Sequence, residues 1–122
     1  MTTMEIGKKL VDLCKQNKNL EAINTLYSPD IVSVEAAGMP NMPAEMKGLP
    51  AVLGKNKWWL DNHEVHSASC EGPYPHGDQF IVRFNYDVTN KPSGKRMQMD
   101  EMALFTVDAG KIVREEFFYV TG

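Results

Sequence analysis

One acidic residue in the second half of the chain interrupts an otherwise apolar row. If residues 97–107 form a β-strand, side chains alternate between its faces, and Glu101 shares a face with Met99 and Phe105 while Asp100 lies on the more polar one. A carboxyl group on an apolar face loses hydration, which disfavours its charged form and raises its pKa. We therefore predict that Glu101 faces a pocket as a general acid or base, or as a hydrogen-bond donor to an oxyanion. The alternative is an outward row, with Glu101 at a solvated rim or a dimer interface.

A second candidate for proton transfer is His63. It lies on the apolar stripe of a predicted helix, one turn beyond Trp59 and Leu60, where it could act as a proton shuttle at the pocket mouth. The commoner explanation, which we favour, is a histidine at a helix C-terminus that binds the end carbonyls.

The sequence shows no metal or cofactor motif. His63 and His66 have no evident third ligand beside them, so we predict no metal site. The chain also has no Gly-rich phosphate loop and no cysteine cluster, and we predict no cofactor.

The large side chains around these candidates are predicted to form the pocket wall. Phe84 and Tyr86 belong to the apolar row of one strand, and Phe117 and Tyr119 share a face of the last strand. Core packing alone is the alternative for each of them. The predicted ligand-binding residues are Tyr27, Trp59, Phe84, Tyr86, Met99, Phe117 and Tyr119.

Helical spacing in the first half and alternation in the second define the elements that must hold these residues. Ile6, Leu10 and Cys14 predict a first helix, Asn19 is expected to cap a second, and Pro50 suits the first turn of a third. Five strands are predicted, over residues 31–36, 65–70, 80–88, 97–107 and 112–120. Antiparallel strands with helices on one face make an α+β domain, and a strongly twisted sheet leaves a concave interior suited to small ligands.

Two further features bear on the pocket. Val32 and Val34 are assigned to the inner face of the first strand, which places Glu35, the only acid of that strand, on the outer face. Residues 38–48, rich in Gly, Pro and Met, are expected to form a loop, either a lid over the pocket mouth or a flexible surface segment.

Composition narrows the class of protein. The 122 residues suit one domain, spanning 1–122, and 43% are hydrophobic, which argues against disorder. The net charge of −3 without a basic stripe argues against nucleic acid as a partner, and no apolar run is long enough to span a membrane. With no signal-peptide core and with Cys14 and Cys70 expected as free thiols, we predict a cytoplasmic protein.

Three segments resemble a known superfamily. They are LYSPDIVSVEAAG (26–38), VRFNYDVT (82–89) and ALFTVDAGKIVREEFFY (103–119). In this order the chain is similar to ketosteroid isomerase-like and SnoaL-like proteins of the nuclear transport factor 2-like superfamily. The resemblance implies a cone-shaped, curved antiparallel sheet with three helices from the N-terminal half, a cystatin-like α+β roll that encloses a pocket. It also implies a homodimer through the sheet. The face of the last strand bearing Ile112, Phe118 and Val120 is apolar as well, which supports that prediction.

The departures from the family pattern leave the function open. Steroid isomerases carry a general-base aspartate where this chain has Ala36, and an oxyanion-binding tyrosine where it has Val11. Glu101 is the closest counterpart of the family's third catalytic group. One hypothesis is an isomerase or polyketide cyclase-like enzyme that acts on a small, hydrophobic, carbonyl-bearing molecule through an inward carboxylate. The other is a non-catalytic ligand-binding or dimeric scaffold module of the same fold.

Overall fold

The computed structural model describes residues 1–38 and 42–120, and across them the chain forms three helices and six strands. In chain order these are α1 (Thr3–Lys15), α2 (Asn19–Leu26), β1 (Tyr27–Val34), β2 (Glu45–Lys47), α3 (Leu49–Asn62), β3 (His63–His76), β4 (Gln79–Asn90), β5 (Lys95–Asp108) and β6 (Lys111–Phe118). None of the helices in the described part of the chain combines the length and the apolar character needed to cross a bilayer.

Local sequence signals set the helix ends. Thr2 and Glu5 form a capping box at the start of α1, in which each side chain accepts a hydrogen bond from the backbone N–H of the other residue. Pro50 occupies the first turn of α3, as predicted. The prediction for Asn19 is wrong, because Lys18 precedes α2 as its N-cap without a side-chain hydrogen bond, and Asn19 is the first helical residue.

The strands form one curved, open sheet in the order β2-β1-β6-β5-β4-β3. All neighbours are antiparallel except β1 and β6, which run parallel, so the sheet is mixed. A parallel pair needs a crossover between its strands, and here the rest of the domain supplies it. The α+β class predicted from the sequence is confirmed.

The central hairpins carry the inner face of the sheet. β4 and β5 pair without interruption from Gln79↔Thr106 to Asn90↔Lys95, so their inward rows lie side by side. Phe80 and Phe105 are each 1% exposed and stack with ring centroids 4.9 Å apart. The buried residues of α1, α2 and α3 cover this face and form the core with it.

An irregularity in β6 changes which of its residues face inward. Ile112 pairs with Val107 and Arg114 pairs with Thr106, so Val113 is an extra residue in β6. Ile112 and Glu115 are therefore both buried. Strict alternation placed Ile112 on the outer face with Phe118, and that assignment is wrong because the extra residue shifts the parity once.

The assignment of the two faces of β1 is also wrong. Ile31 and Ser33 are fully buried, whereas Val32 and Val34 are half-buried, so the odd-numbered residues face the core. Glu35 continues this inner row and does not lie on the outer face. Tyr27 is the first residue of β1.

The segment predicted as a loop over residues 38–48 contains a strand. Residues 39–41 lie outside the described residues, but Glu45–Lys47 form β2 and pair antiparallel with β1. Met42 and Pro43, which precede this strand, line the cavity described below. Cys14 and Cys70 are both buried free thiols, as predicted.

Candidate functional site

A cavity of about 320 Å³ lies between the helices and the inner face of the sheet. Its wall takes residues from all three helices and from β1, β4, β5 and β6. The structure places all seven residues that were predicted to bind a ligand on this wall, and both candidates for proton transfer as well: Tyr27, Trp59, His63, Phe84, Tyr86, Met99, Glu101, Phe117 and Tyr119.

Glu101 stands on β5 directly opposite Phe84 of β4, with half-buried Met99 and buried Ala103 on either side of it in the inward row. Within the described part of the chain its carboxyl group forms no hydrogen bond with another side chain. Burial raises the pKa of Glu101 to about 7, the nearby carboxyl of Glu35 adds to the rise, and Lys55 opposes it. The inward orientation expected from alternation is thus the one observed.

His63 has the contacts of a helix-terminal histidine. It follows the last residue of α3, and its Nδ1 lies 2.8 Å from the carbonyl oxygen of Trp59. The imidazole ring stacks on the Trp59 indole, with centroids 4.4 Å apart. These contacts assign the proton to Nδ1, which leaves Nε2 to accept from Asn90 at 3.4 Å.

A chain of polar side chains runs along the wall formed by α3, β1 and β6. The ammonium of Lys55 donates to Glu35 Oε1 at 2.8 Å and to Ser33 Oγ at 2.6 Å. Tyr119 donates to the other oxygen of Glu35 at 3.1 Å. Lys55 is only 11% exposed and its Nζ lies 5.1 Å from the centre of the Phe117 ring, so the cation is held between a carboxylate and an aromatic face.

This series of hydrogen-bonded polar side chains ends inside the protein at Glu115, which is 2% exposed. Ser33 donates to one of its oxygens at 2.8 Å, and the hydroxyl of Tyr27 donates to the other. Burial raises the pKa of Glu115, although Lys55 and the two hydroxyl donors oppose that rise. The pKa of Tyr27 is also raised, by burial first and by Glu115 second, so its hydroxyl keeps its proton.

Sequence reasoning did not assign Lys55, Ser33 or Glu115 to the site, and it placed Glu35 on the wrong face. A signal existed for two of them. Glu115 shares the parity of Phe117 and Tyr119, and Lys55 lies four residues before Trp59 on the stripe of α3. Ser33 gave no such signal, because no sequence pattern distinguishes a serine that is buried against a polar partner from a serine in solvent.

The three acidic side chains on the cavity wall differ in the partners that they have. Glu35 is ion-paired, Glu115 is hydrogen-bonded to two hydroxyl groups, and Glu101 faces the cavity without a protein partner in the described residues. A carboxyl group with a pKa near neutrality on a cavity wall is suited to general acid–base catalysis. Among residues 1–38 and 42–120, no group of three or more His, Cys, Asp or Glu side chains is placed to hold a metal ion.

Helices on the inner face of an open, curved sheet, with a cavity between the two layers, define the nuclear transport factor 2-like class of α+β proteins. Within that class this chain belongs to the SnoaL-like domain family, whose family model matches residues 1–119. A search of the curated proteins found no match.

Solved structures support the assignment. One similar structure is a protein from Mesorhizobium loti that is provisionally named a SnoaL-like polyketide cyclase and also a carbohydrate phosphatase. It is 47% identical to this chain with a TM-score of 0.92, and the match covers 98% of this chain and 100% of that one. An NTF2-like protein from Burkholderia thailandensis is 21% identical with a TM-score of 0.81, over 98% and 92% of the two chains. A protein of ketosteroid isomerase-like fold from Catenulispora acidiphila, in complex with trimethylamine, is 22% identical with a TM-score of 0.73, over 97% and 87%. The two more distant structures show the fold alone.

Proposed function

We propose that the protein, as one SnoaL-like domain over residues 1–122, binds a small, hydrophobic, carbonyl-bearing molecule in the cavity and moves a proton on it with Glu101. The observation that carries the proposal is the Glu101 carboxyl group, which lies among apolar and aromatic side chains and has no partner among the described residues. The provisional name of the Mesorhizobium loti relative, a polyketide cyclase, is consistent with a carbonyl compound as substrate.

Proton transfer at the carbon next to a carbonyl is the chemistry that suits this site. The Glu101 carboxylate takes a proton from that carbon, which leaves an enolate on the ligand and a neutral Glu101. Return of the proton to another carbon completes an isomerisation. Alternatively, the enolate carbon attacks a second carbonyl, whose oxygen takes the proton back from Glu101, and this completes an aldol-type ring closure. Trp59, Phe84 and Tyr86 exclude water, which strengthens the electrostatic interactions inside the cavity.

Exchange of carbon-bound protons tests this proposal directly. Cyclic ketones small enough for the cavity are incubated with the protein in D₂O, and deuterium at the carbon next to the carbonyl is followed by NMR. Wild-type protein is expected to accelerate the exchange, and Glu101→Gln is expected to lose the acceleration. Asp100→Asn is the matched control, because Asp100 is the adjacent residue on the opposite face and pairs with Arg83 at 2.8 Å. Equal exchange rates in wild type and Glu101→Gln would contradict the proposal.

The second candidate is a binding or scaffold module that uses the same cavity without chemistry. Val11 favours it, because this residue stands where the family's oxyanion-binding tyrosine is expected and is 3% exposed in the core. A ligand that binds in the cavity while its protons exchange at the uncatalysed rate supports this alternative.

We propose a homodimer through the outer face of the sheet. Met102 of β5 and Phe118 of β6 are direct cross-strand partners on this face, and they are 38% and 49% exposed. Ile81, which is 37% exposed, extends the apolar surface onto β4. Covering these side chains with a second copy removes apolar surface from water.

We also propose that the protein is cytoplasmic, because its two free thiols are typical of a reducing compartment.

A further inference from the structure

Lys55 is a charged residue of the cavity wall that the proposed proton transfer does not use. Its side chain enters the wall from α3 and is 11% exposed. In the described residues no other lysine or arginine lines the cavity. A buried ammonium group retains its charge only with acceptors close by, and Glu35 and Ser33 supply two of them.

The hydrogen bonds of Lys55 leave part of its capacity free. An ammonium group has three N–H donors, and the structure pairs one with Glu35 and one with Ser33. The next acceptor, Oε1 of Glu115, lies 4.0 Å away, which is beyond hydrogen-bond distance. Within the described part of the chain, one donor of Lys55 therefore has no oxygen partner, and the group lies beside the cavity-lining ring of Phe117.

The surroundings hold this cation in place. Glu35, which balances its charge, is itself fixed by the hydroxyl of Tyr119, and Ser33 is fixed by Glu115. A donor that is already oriented stabilises a developing negative charge without reorganisation at the moment of reaction. Such a group contributes most where a carbonyl oxygen gains charge during removal of a neighbouring proton.

We propose that Lys55 binds the ligand oxygen that becomes negatively charged, so that the cavity selects carbonyl compounds that ionise to enolates, and phenols that ionise to phenolates. This inference rests on the proposed function and names its electrophilic residue. The ligand oxygen accepts a hydrogen bond from the Lys55 ammonium while Glu101 carries the proton. No proton leaves Lys55, and its pair with Glu35 persists.

A coloured phenol tests the inference without knowledge of the natural ligand. 4-Nitrophenol has an aromatic body that matches the cavity wall, and it absorbs visible light only as the phenolate. At about pH 6, free 4-nitrophenol is mostly neutral, and Glu101 with a pKa of about 7 is mostly protonated, so a phenolate signal on the protein reports stabilisation of the anion. Wild type is expected to bind the dye and shift it to the coloured form.

Two substitutions at Lys55 and one control define the outcome. Lys55→Met is expected to lower the phenolate fraction of the bound dye about tenfold, as the loss of one charge-assisted hydrogen bond predicts. Lys55→Arg keeps the charge and is expected to retain the colour within about threefold. Lys57→Met is the matched control, because Lys57 lies on the exposed side of the same helix. If Lys55→Met does not fold, the ¹⁵N resonance of the Lys55 side chain in wild type provides the test, and it is expected to shift when the dye binds.

The inference is overturned if wild type does not bind the dye, if it binds only the colourless form, or if Lys55→Met retains the full phenolate signal. An unmoved Lys55 resonance in the dye complex has the same meaning. These failures are distinct from failure of the proposed function. If ketone exchange depends on Glu101 while the dye stays colourless, the proton carrier stands and Lys55 is not its electrophile.

Discussion

The Nζ atom of Lys55 lies 2.8 Å from Oε1 of Glu35, and this ion pair joins α3 to the inner row of β1. The lysine side chain of the pair is 11% exposed and the glutamate side chain is 25% exposed. It fixes the one cation on the cavity wall within the described residues, and it leaves Glu101 as the acid that faces the cavity unpaired. We expect both the stability of the fold and the proposed chemistry to depend on this pair.

Lys55→Met is expected to destabilise the fold. The substitution leaves Glu35 and Ser33 without their shared donor in a mostly buried setting, and removal of one partner of a buried ion pair costs several kcal/mol. Because Glu35 retains some contact with water, we expect a loss of about 2 kcal/mol in the free energy of unfolding, measured by urea denaturation. Lys57→Met should change it by less than about 0.5 kcal/mol. Equal values for the two variants would contradict the assigned role of the pair.

Tyr27→Phe tests the deep end of the polar chain. The substitution removes the hydroxyl that donates to Glu115 and leaves a buried carboxyl oxygen without that partner. We expect a loss of about 2 kcal/mol, since an unsatisfied buried polar group is more costly than the net value of its hydrogen bond. Tyr74→Phe is the control, because Tyr74 is 55% exposed and its hydroxyl can reach water. A Tyr27→Phe variant as stable as Tyr74→Phe would rule out this hydrogen bond as a stabilising contact.

The dependence of stability on pH tests Glu101 without a ligand. Its pKa is about 7 in the folded protein against an ordinary value of 4.5, so the folded state binds the proton more tightly. The contribution of Glu101 to stability is therefore greatest below about pH 4.5 and falls as the pH rises towards 7. Relative to wild type, Glu101→Gln should gain stability between pH 4 and pH 8, by on the order of 3 kcal/mol.

The control for this profile has the opposite sign. The hydrogen bond from Arg83 lowers the pKa of Asp100, so stability due to Asp100 is present above the unfolded pKa and is lost as the pH falls. Asp100→Asn should therefore show no gain relative to wild type as the pH rises. A parallel profile for Glu101→Gln and Asp100→Asn would contradict the burial of Glu101.

Phe118→Asp tests the proposed dimer. A charge at the centre of the exposed Met102–Phe118 surface opposes burial against a second copy, so this variant should sediment as a monomer where wild type sediments as a dimer at micromolar concentration. Met4→Asp is the control, because Met4 is 38% exposed on α1 and lies outside this surface. A wild type that sediments strictly as a monomer would refute the dimer.

Much of the fold follows from local patterns, and the exceptions have physical causes. The α3 start at Pro50 and the inward row of β5 depend on neighbours in sequence and were predicted, and the hairpin after Asp108 is also a local structure. Ala109 and Gly110 make that hairpin with positive φ angles of 50° and 77°, as a two-residue connection requires. By contrast, the parallel pairing of β1 with β6 joins segments more than 80 residues apart, and no local pattern encodes it.

The same distinction between local and long-range features applies to the residues of the candidate site. The aromatic wall and Glu101 could be found because apolar alternation marks an inner face. Ser33, Glu35 and Glu115 were missed or misplaced because a pattern reading assigns polar residues to solvent. Their burial depends on partners from other elements, such as Lys55 of α3, and on the extra residue Val113 that sets the parity of β6.

The most direct test of the central claim is the pKa of the Glu101 carboxyl group, measured by NMR from its side-chain carbon resonance, with Glu101→Gln to assign the signal. We predict a midpoint of about 7 and a further change when a ligand enters the cavity. A midpoint near that of a glutamate in water, unaffected by any cavity ligand, would contradict it.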